Sequence, residues 1–275
     1  MYDEPYRWVE AVTNRRQYLD DQFAHGSPVV ATSYPEGILF FTFSHGTPKL
    51  YEIYDRIGLG GMGHPADLEK LRFSILDMAH VEGFQRSPGD VTGSRLVKYG
   101  LAPVIKQAFE EIFKAPYICK ILLAELGTKL HQDRYITLNY DGTFEEGTDC
   151  AVLGASQEVE QKMVEYHRGH RPSSASDFQS VAEAAARTWA TGALLQRQVE
   201  SGETDDNEPT DSTTSETEPF SEDTLQDCLR ETLAEKTLEC AILEREAPDS
   251  SKYRTLSPEE THGCFPQLYP TPKQK

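Results

Sequence analysis

Hydrophobic residues recur along this chain at two spacings, one typical of helices and one typical of strands. The helical spacing covers residues 8–25, 66–81, 94–113, 157–167, 176–196 and 224–235. Short runs rich in β-forming residues cover 29–32, 38–43, 50–53, 57–62, 118–126, 134–139, 151–153, 238–243 and 253–256. Turn and loop signals rich in glycine, proline and aspartate lie at 33–37, 87–90 and 140–143. The chain therefore reads as a mixed α and β fold.

The order of these elements predicts the architecture. One helix is followed by several strands, two helices, more strands, two further helices and final strands. Strands in groups with helices in pairs favour two antiparallel sheets with helices outside them. A second sheet is needed to cover strand faces that would otherwise expose apolar surface. We expect an α+β fold, a four-layer αββα sandwich.

Charge narrows the possible partners. The 275 residues carry a formal net charge of −18, and no long basic run is present, so nucleic acid is not an expected partner. Residues 200–223 hold ten acidic and no basic residues, which is −10 of the −18. Such a composition cannot bury enough apolar surface to offset its ordering entropy. We expect a disordered acidic insertion there, with a solvated linker as the default role.

Cysteine usage and hydropathy indicate a cytoplasmic protein. The cysteines are five in number and form no C-x-x-C pair, which disfavours both a zinc site and a disulfide framework. No apolar run is long enough to span a bilayer, and the N-terminus lacks the features of a signal peptide. The histidines are scattered, and we expect neither a metal nor a cofactor.

The chain divides into five predicted segments. They are an N-terminal segment and helix (1–25), the sandwich (26–199), the acidic insertion (200–223), a short helix with final strands (224–258) and a flexible tail (259–275).

Five motifs follow one another along the chain. They are Leu50 to Gly63, Asp90 to Gly93, Pro116-Tyr117, Asp141 to Thr143 and Leu153 to Ala155. In this order and at this spacing, they resemble the motifs of proteasome α-type subunits of the actinobacterial kind. The resemblance implies the αββα sandwich of the N-terminal-nucleophile hydrolases. It agrees with the architecture expected from the element order.

The resemblance also bears on catalysis. It places Ser27 at the position of the nucleophile that active β-type subunits expose by self-cleavage, and Phe43 at the position of their acidic partner. Phe43 cannot orient or charge a neighbour, and the predicted helix before Ser27 is a feature that α-type subunits keep. We expect a non-catalytic subunit of a threonine-type endopeptidase complex. A self-processing hydrolase that uses Ser27, freed by cleavage after Gly26, is the alternative.

Three residues match a docking pocket of the family. Lys49 aligns with a lysine that, in α-type subunits, receives the C-terminal carboxylate of an activator between neighbouring subunits. An ammonium group suits that ligand. Gly63 and His64 match wall positions, although the family often has an apolar residue where this chain has His64.

The residues before the first helix match the gate of the family. Tyr2 and Asp3 resemble the first two residues of an archaeal Tyr-Asp-Arg motif, but this chain has Glu4 where that motif has arginine. Pro5-Tyr6 resembles the start of the actinobacterial subunits. We expect Tyr2, Asp3, Pro5 and Tyr6 to close an axial pore, unless this terminus is simply frayed.

The implied partners follow from the same resemblance. The chain would form a ring with itself, stack on a β-type subunit, bind the C-terminal tail of a ring ATPase or other activator, and pass protein substrates in transit. No membrane partner is expected. A stand-alone ring scaffold without a protease partner is a further alternative. The first helix would either pack beside ring neighbours at the axial surface or cap its own sheet.

Overall fold

Two five-stranded antiparallel sheets form the centre of the protein. A computed structural model of the chain describes residues 4–111, 113–129, 131–170, 177–201 and 220–268. The strands are β1 (Val29–Tyr34), β2 (Gly37–Ser44), β3 (Leu50–Tyr54), β4 (Ile57–Gly63), β5 (Cys119–Glu125), β6 (Arg134–Leu138), β7 (Phe144–Gly147), β8 (Cys150–Leu153), β9 (Thr237–Glu244) and β10 (Tyr253–Thr255). The first sheet has the order β10-β9-β2-β1-β8, and the second has β3-β4-β5-β6-β7.

Helices cover the outer faces of both sheets and one end of the sandwich. They are α1 (Glu4–Ala24), α2 (Pro65–Gln85), α3 (Gly93–Arg95), α4 (Ala102–Glu110), α5 (Gln157–His170), α6 (Phe178–Ser201), α7 (Glu222–Glu235) and α8 (Pro258–Cys264). α2, α3 and α4 pack on the second sheet. α5, α6 and α7 pack on the first. The predicted four-layer αββα sandwich is confirmed.

Strand β2 shows why the hydrophobic pattern leads to this architecture. Ile38 and Phe40 face the second sheet, whereas Leu39, Phe41 and Phe43 face the helices. Both sides of β2 are buried, so its sequence is a continuous apolar run rather than an alternating one. The three hydrophobic clusters are accordingly one between the sheets and one between each sheet and its helices.

Helix α1 closes one end of the sandwich. Leu19 and Phe23 are fully buried in the cluster between the sheets. The Arg15 guanidinium donates to the carbonyls at the C-terminal end of α4, including that of Phe109 at 2.9 Å. Arginine is well suited to this role because the last carbonyls of a helix lack partners within the helix. Arg15 therefore fastens α1 to its own fold.

Several predicted boundaries differ from the structure. The first helix begins at Glu4 rather than at residue 8. The predicted helix 94–113 consists of α3, a π-helical turn over Leu96–Leu101, and α4. Residues 200–201 and 222–223 of the predicted disordered insertion belong to α6 and α7, while 202–219 lie outside the described residues.

The predicted flexible tail is wrong for its first ten residues. Residues 258–264 form α8, which begins with a capping box between Ser257 and Glu260. Phe265 is fully buried and Leu268 nearly so, both in the cluster between the first sheet and its helices. These two anchors lie in an otherwise polar stretch, so the apolar pattern alone did not reveal them. Residues 269–275 lie outside the described residues.

Candidate functional site: the Ser27–Lys49 end of the sandwich

The segment between α1 and β1 carries the residue predicted as a possible nucleophile. Ser27 is 5% exposed, and its Oγ is buried without a hydrogen-bond partner among the described residues. The Gly26 N–H donates to the carbonyl of Phe23 at 2.8 Å, so the chain leaves α1 through a helical turn directly into Ser27. Ser27 therefore follows α1 directly and is buried.

Side chains from α6, from β2 and from the residue before β3 hold the carbonyls of Ser27 and Pro28. Trp189 of α6 donates its indole N–H to the Pro28 carbonyl at 2.8 Å, and the Thr42 hydroxyl donates to the same oxygen at 2.6 Å. Lys49 Nζ donates to the Ser27 carbonyl at 3.4 Å. The bonds fix the backbone, and none of them engages the Ser27 hydroxyl.

Phe43 lies on the other side of the first sheet from Lys49. Its ring packs on Trp189 with centroids 4.6 Å apart, inside the cluster that faces α6. Side chains alternate along a strand, so the β2 residue on the inter-sheet side at this level is Thr42 and not Phe43. Neither residue is an acid. The position that matches the acidic partner therefore contributes apolar packing.

Lys49 directly precedes β3 and is held from two sides. Its backbone N–H donates to Glu239 Oε2 at 2.9 Å, and its carbonyl accepts from the Gly61 N–H at 2.9 Å. Burial, helped by nearby Lys236 and opposed by Glu239, lowers the pKa of Lys49 to about 8. A half-buried ammonium at this pKa would gain from an anionic ligand, which favours its charged form.

Gly63 and His64 lie where β4 ends and α2 begins. Gly63 has a φ of +130°, and a Cβ there would lie 2.1 Å from the carbonyl oxygen of Ile118, so only glycine fits. His64 is exposed, and its Nδ1 accepts from the Ala66 N–H at 3.2 Å as the N-cap of α2. Lys49, directly before β3, is hydrogen-bonded to Gly61, and Gly61 lies two residues before Gly63 at the end of β4. The three predicted pocket residues therefore lie at the same end of two neighbouring strands.

The predicted gate residues are only partly described. Tyr2 and Asp3 lie outside the described residues. Pro5 and Tyr6 fall within α1.

Sequence reasoning missed a buried lysine at this end. Lys120 of β5 donates to the Gly154 carbonyl at 2.8 Å, to the Ala155 carbonyl at 3.2 Å and to Glu160 Oε1 at 3.0 Å. It holds the turn from β8 into α5. Its signal is a lysine next to the apolar run Ile121–Ala124 of a buried strand, where a charge must be paired.

Gln196 connects that turn to the Ser27 segment. Its amide, in the orientation that satisfies both neighbours, donates to the Gly26 carbonyl at 3.2 Å and accepts from the Ala155 N–H at 2.8 Å. Nothing in the helical pattern of α6 distinguished this glutamine from a surface residue.

Two further observations concern metals and membranes. Within the described part of the chain, no three His, Cys, Asp or Glu side chains gather as metal ligands. His167 instead bridges Thr32 at 3.0 Å and Thr188 at 2.9 Å inside the core. No described helix is long and apolar enough to cross a bilayer.

Similar proteins of known family were found among bacteria. The chain is 32% identical over 166 residues to "Proteasome subunit alpha" of Frankia casuarinae, which covers 59% of this chain and 68% of that protein. It is 31% identical over 152 residues to the protein of the same name in Jonesia denitrificans, covering 54% and 64%. For Actinosynnema mirum the values are 32% over 152 residues, covering 54% and 57%.

The share of each relative that the match covers decides which of them can show the family of this chain. The chain spans under two thirds of the length of the second and third relatives. No family model matches it. The likeness to the Frankia protein, together with the two five-stranded sheets and the α1 helix before Ser27, confirms the resemblance found in the sequence. The chain belongs to the family of bacterial proteasome α-type subunits.

Proposed function

We propose that this chain is a non-catalytic α-type subunit of a proteasome core particle, which forms outer rings and gates entry to the proteolytic chamber. The observation that carries the proposal is the buried Ser27 hydroxyl, which makes no hydrogen bond among the described residues. The nearby Lys49 Nζ donates to the Ser27 carbonyl instead. A nucleophile needs an adjacent base or a free amine.

A partner ring would explain an exposed apolar helix face. Phe73, Val81 and Phe84 on the outer face of α2 are 57%, 52% and 93% exposed, and Tyr99 in the π-helical turn is 70% exposed. Large exposed apolar patches mark interaction sites on soluble proteins. We assign this face to the β-type subunit, in which peptide bonds would be cut.

Activator docking is assigned to Lys49. A C-terminal carboxylate that reaches the Lys49 ammonium would pair with a cation that burial otherwise disfavours. Gly63 and His64 would form the wall. The N-terminal residues before and within the start of α1, from Tyr2 to Tyr6, would close the axial opening until the activator binds.

Co-expression with the β-type subunit of the same organism tests the proposed function. Stacked rings by electron microscopy and peptidase activity that follows the β-type chain are expected, with the α-type chain at its intact mass of 30.9 kDa. A chain that loses residues 1–26 would instead be a self-processing hydrolase using Ser27. Rings of this chain that never join a β-type ring would indicate a stand-alone scaffold.

The docking assignment has its own test. A peptide from the C-terminus of the ring ATPase of the same organism should stimulate peptide hydrolysis as the free acid and not as the C-terminal amide. Lys49→Ala should abolish the stimulation, while Lys106→Ala, at a 59% exposed side chain on α4, should leave it unchanged. Equal stimulation of the Lys49→Ala particle would overturn the assignment.

A further inference from the structure

The sandwich has unpaired strand edges on two opposite sides. The orders of the sheets place β7 and β8 together on one side, and β3 and β10 together on the other. An unpaired strand edge presents free backbone donors and acceptors, and proteins usually cover it. Both sides therefore require an occupant.

The β7 side is shaped as a shelf. β8 packs over β5 and β6, so β7 projects beyond the edge of the first sheet. All four residues of β7, Phe144–Gly147, are exposed. A cleft of about 410 Å³ lies above this shelf, between the edge of β8 and helix α5.

The cleft is acidic at its mouth. Glu145 of β7 and Glu165 of α5 both line it and are exposed. Two further carboxylates, on Glu146 and Glu160, are already paired with Lys98 and Lys120. The charge that remains at the mouth suits a basic partner segment.

The opposite side presents basic groups on its outermost strand. Arg254 of β10 has a 43% exposed side chain that reaches Glu260 at 2.6 Å and Glu244 at 3.6 Å. Lys252 directly precedes this strand and lies near the β3–β4 turn, where its N–H donates to the carbonyl of Asp55 at 2.6 Å. This edge is short and basic, whereas the cleft is long and acidic.

We propose that the β3/β10 side of one copy of this chain docks into the β7/β8 cleft of a second copy, with Arg254 facing Glu145 and Glu165. This inference rests on the proposed ring and names the surfaces that build it. Because the two surfaces are different and lie on opposite sides, the contact is heterologous. Repetition of such a contact closes a ring, whereas a two-fold dimer would use the same surface twice.

The arrangement also completes the docking site. Lys49 directly precedes the edge strand β3, so the β7/β8 side of the neighbouring copy would lie beside it. A carboxylate at Lys49 would then contact two copies, and docking would depend on ring formation.

Charge reversal tests the assignment on the full chain. Glu145→Lys with Glu165→Lys, and separately Arg254→Glu, should each lower the ring population at least tenfold in native mass spectrometry and gel filtration. The chain with all three changes should regain rings, because the charge pair is inverted and not removed. Glu158→Lys, at a 74% exposed position on α5 that does not line the cleft, is the matched control and should form normal rings.

Folding and function are separated by two checks. Circular dichroism should show unchanged melting for each variant, and Arg254→Gln replaces Arg254→Glu if the latter melts early. Normal rings from the single-side variants, still stacking on the β-type chain, would overturn this assignment and leave the proposed function standing. A wild-type chain that forms neither rings nor stacks would overturn both.

Discussion

The two helix layers of the sandwich have similar inner faces and different outer faces. On the second sheet, α2 and α4 bury residues such as Leu71 and Ile105, and on the first sheet α5 and α6 bury Met163 and Trp189. On the outside, the layer formed by α2 and α4 exposes the aromatic rings of α2 and of the π-helical turn. Among the described residues of α5, α6 and α7, Val199 is the one exposed large hydrophobic side chain.

This difference separates folding from assembly. The inner faces must be apolar because each sheet has to be covered. The outer faces are free of that requirement, so an apolar outer face needs another cause. The comparison therefore predicts that inner substitutions change stability, and that outer substitutions on α2 change association alone.

The largest effect is expected at Trp189. Trp189→Ala removes a ring that packs on Phe43 and a hydrogen bond to the Pro28 carbonyl, and should lower the free energy of unfolding by about 3–5 kcal/mol. Urea unfolding followed by circular dichroism measures it. Phe73→Ala on the outer face of α2 should cost less than about 0.5 kcal/mol. A loss below about 1 kcal/mol at Trp189 would contradict the comparison.

The sequence anticipated the inner faces better than the site. The regular spacing in α2 and the apolar run of β2 determine which faces are buried, so the layers could be predicted. The partner of Trp189 could not, because its bond to the Pro28 carbonyl joins residues 161 positions apart. The burial of Lys120 and Gln196 likewise depends on how the β8–α5 turn meets α1, which no local pattern encodes.

A smaller, pH-dependent effect on the free energy of unfolding is expected at Lys49. This residue lies at the end of the sandwich that α1 covers, outside both helix layers. The lowered pKa of Lys49, about 8, means that the folded state holds this proton less tightly than the unfolded chain does. The ionised amine therefore destabilises the fold at neutral pH. That penalty is relieved as the pH rises above 8 towards the unfolded value near 10.5.

Lys49→Met tests this sign. The variant should be more stable than the wild type at pH 7, by up to about 3 kcal/mol, and the difference should shrink steadily between pH 8 and pH 10.5. Urea unfolding at three pH values measures it. Lys106→Met, at an exposed position, should show a difference that does not change with pH. A constant difference for Lys49→Met would contradict the burial of its amine.

The next largest loss of stability is expected at His167, a buried polar residue of the layer formed by α5 and α6. His167 is 1% exposed and joins α5 to Thr32 of β1 and Thr188 of α6. His167→Ala leaves a buried hydroxyl unpaired and should cost about 1–2 kcal/mol. His80→Ala, exposed on α2, should cost less than about 0.5 kcal/mol. Thermal and urea unfolding of the two variants, side by side, decide whether this layer depends on the anchor.

The smallest effect on stability, and the sharpest test of the comparison, is expected at Phe84. Its side chain is 93% exposed, so Phe84→Ser should change the free energy of unfolding by less than about 0.5 kcal/mol. If the outer face of α2 contacts the β-type subunit, the same variant should co-purify with that subunit at least tenfold less than the wild type. Val199→Ser, 65% exposed on α6, should change neither quantity. Equal losses of association for Phe84→Ser and Val199→Ser would mean that exposed apolar area weakens assembly wherever it is removed. The two helix layers would then not differ in function, and the apolar face of α2 would need another explanation.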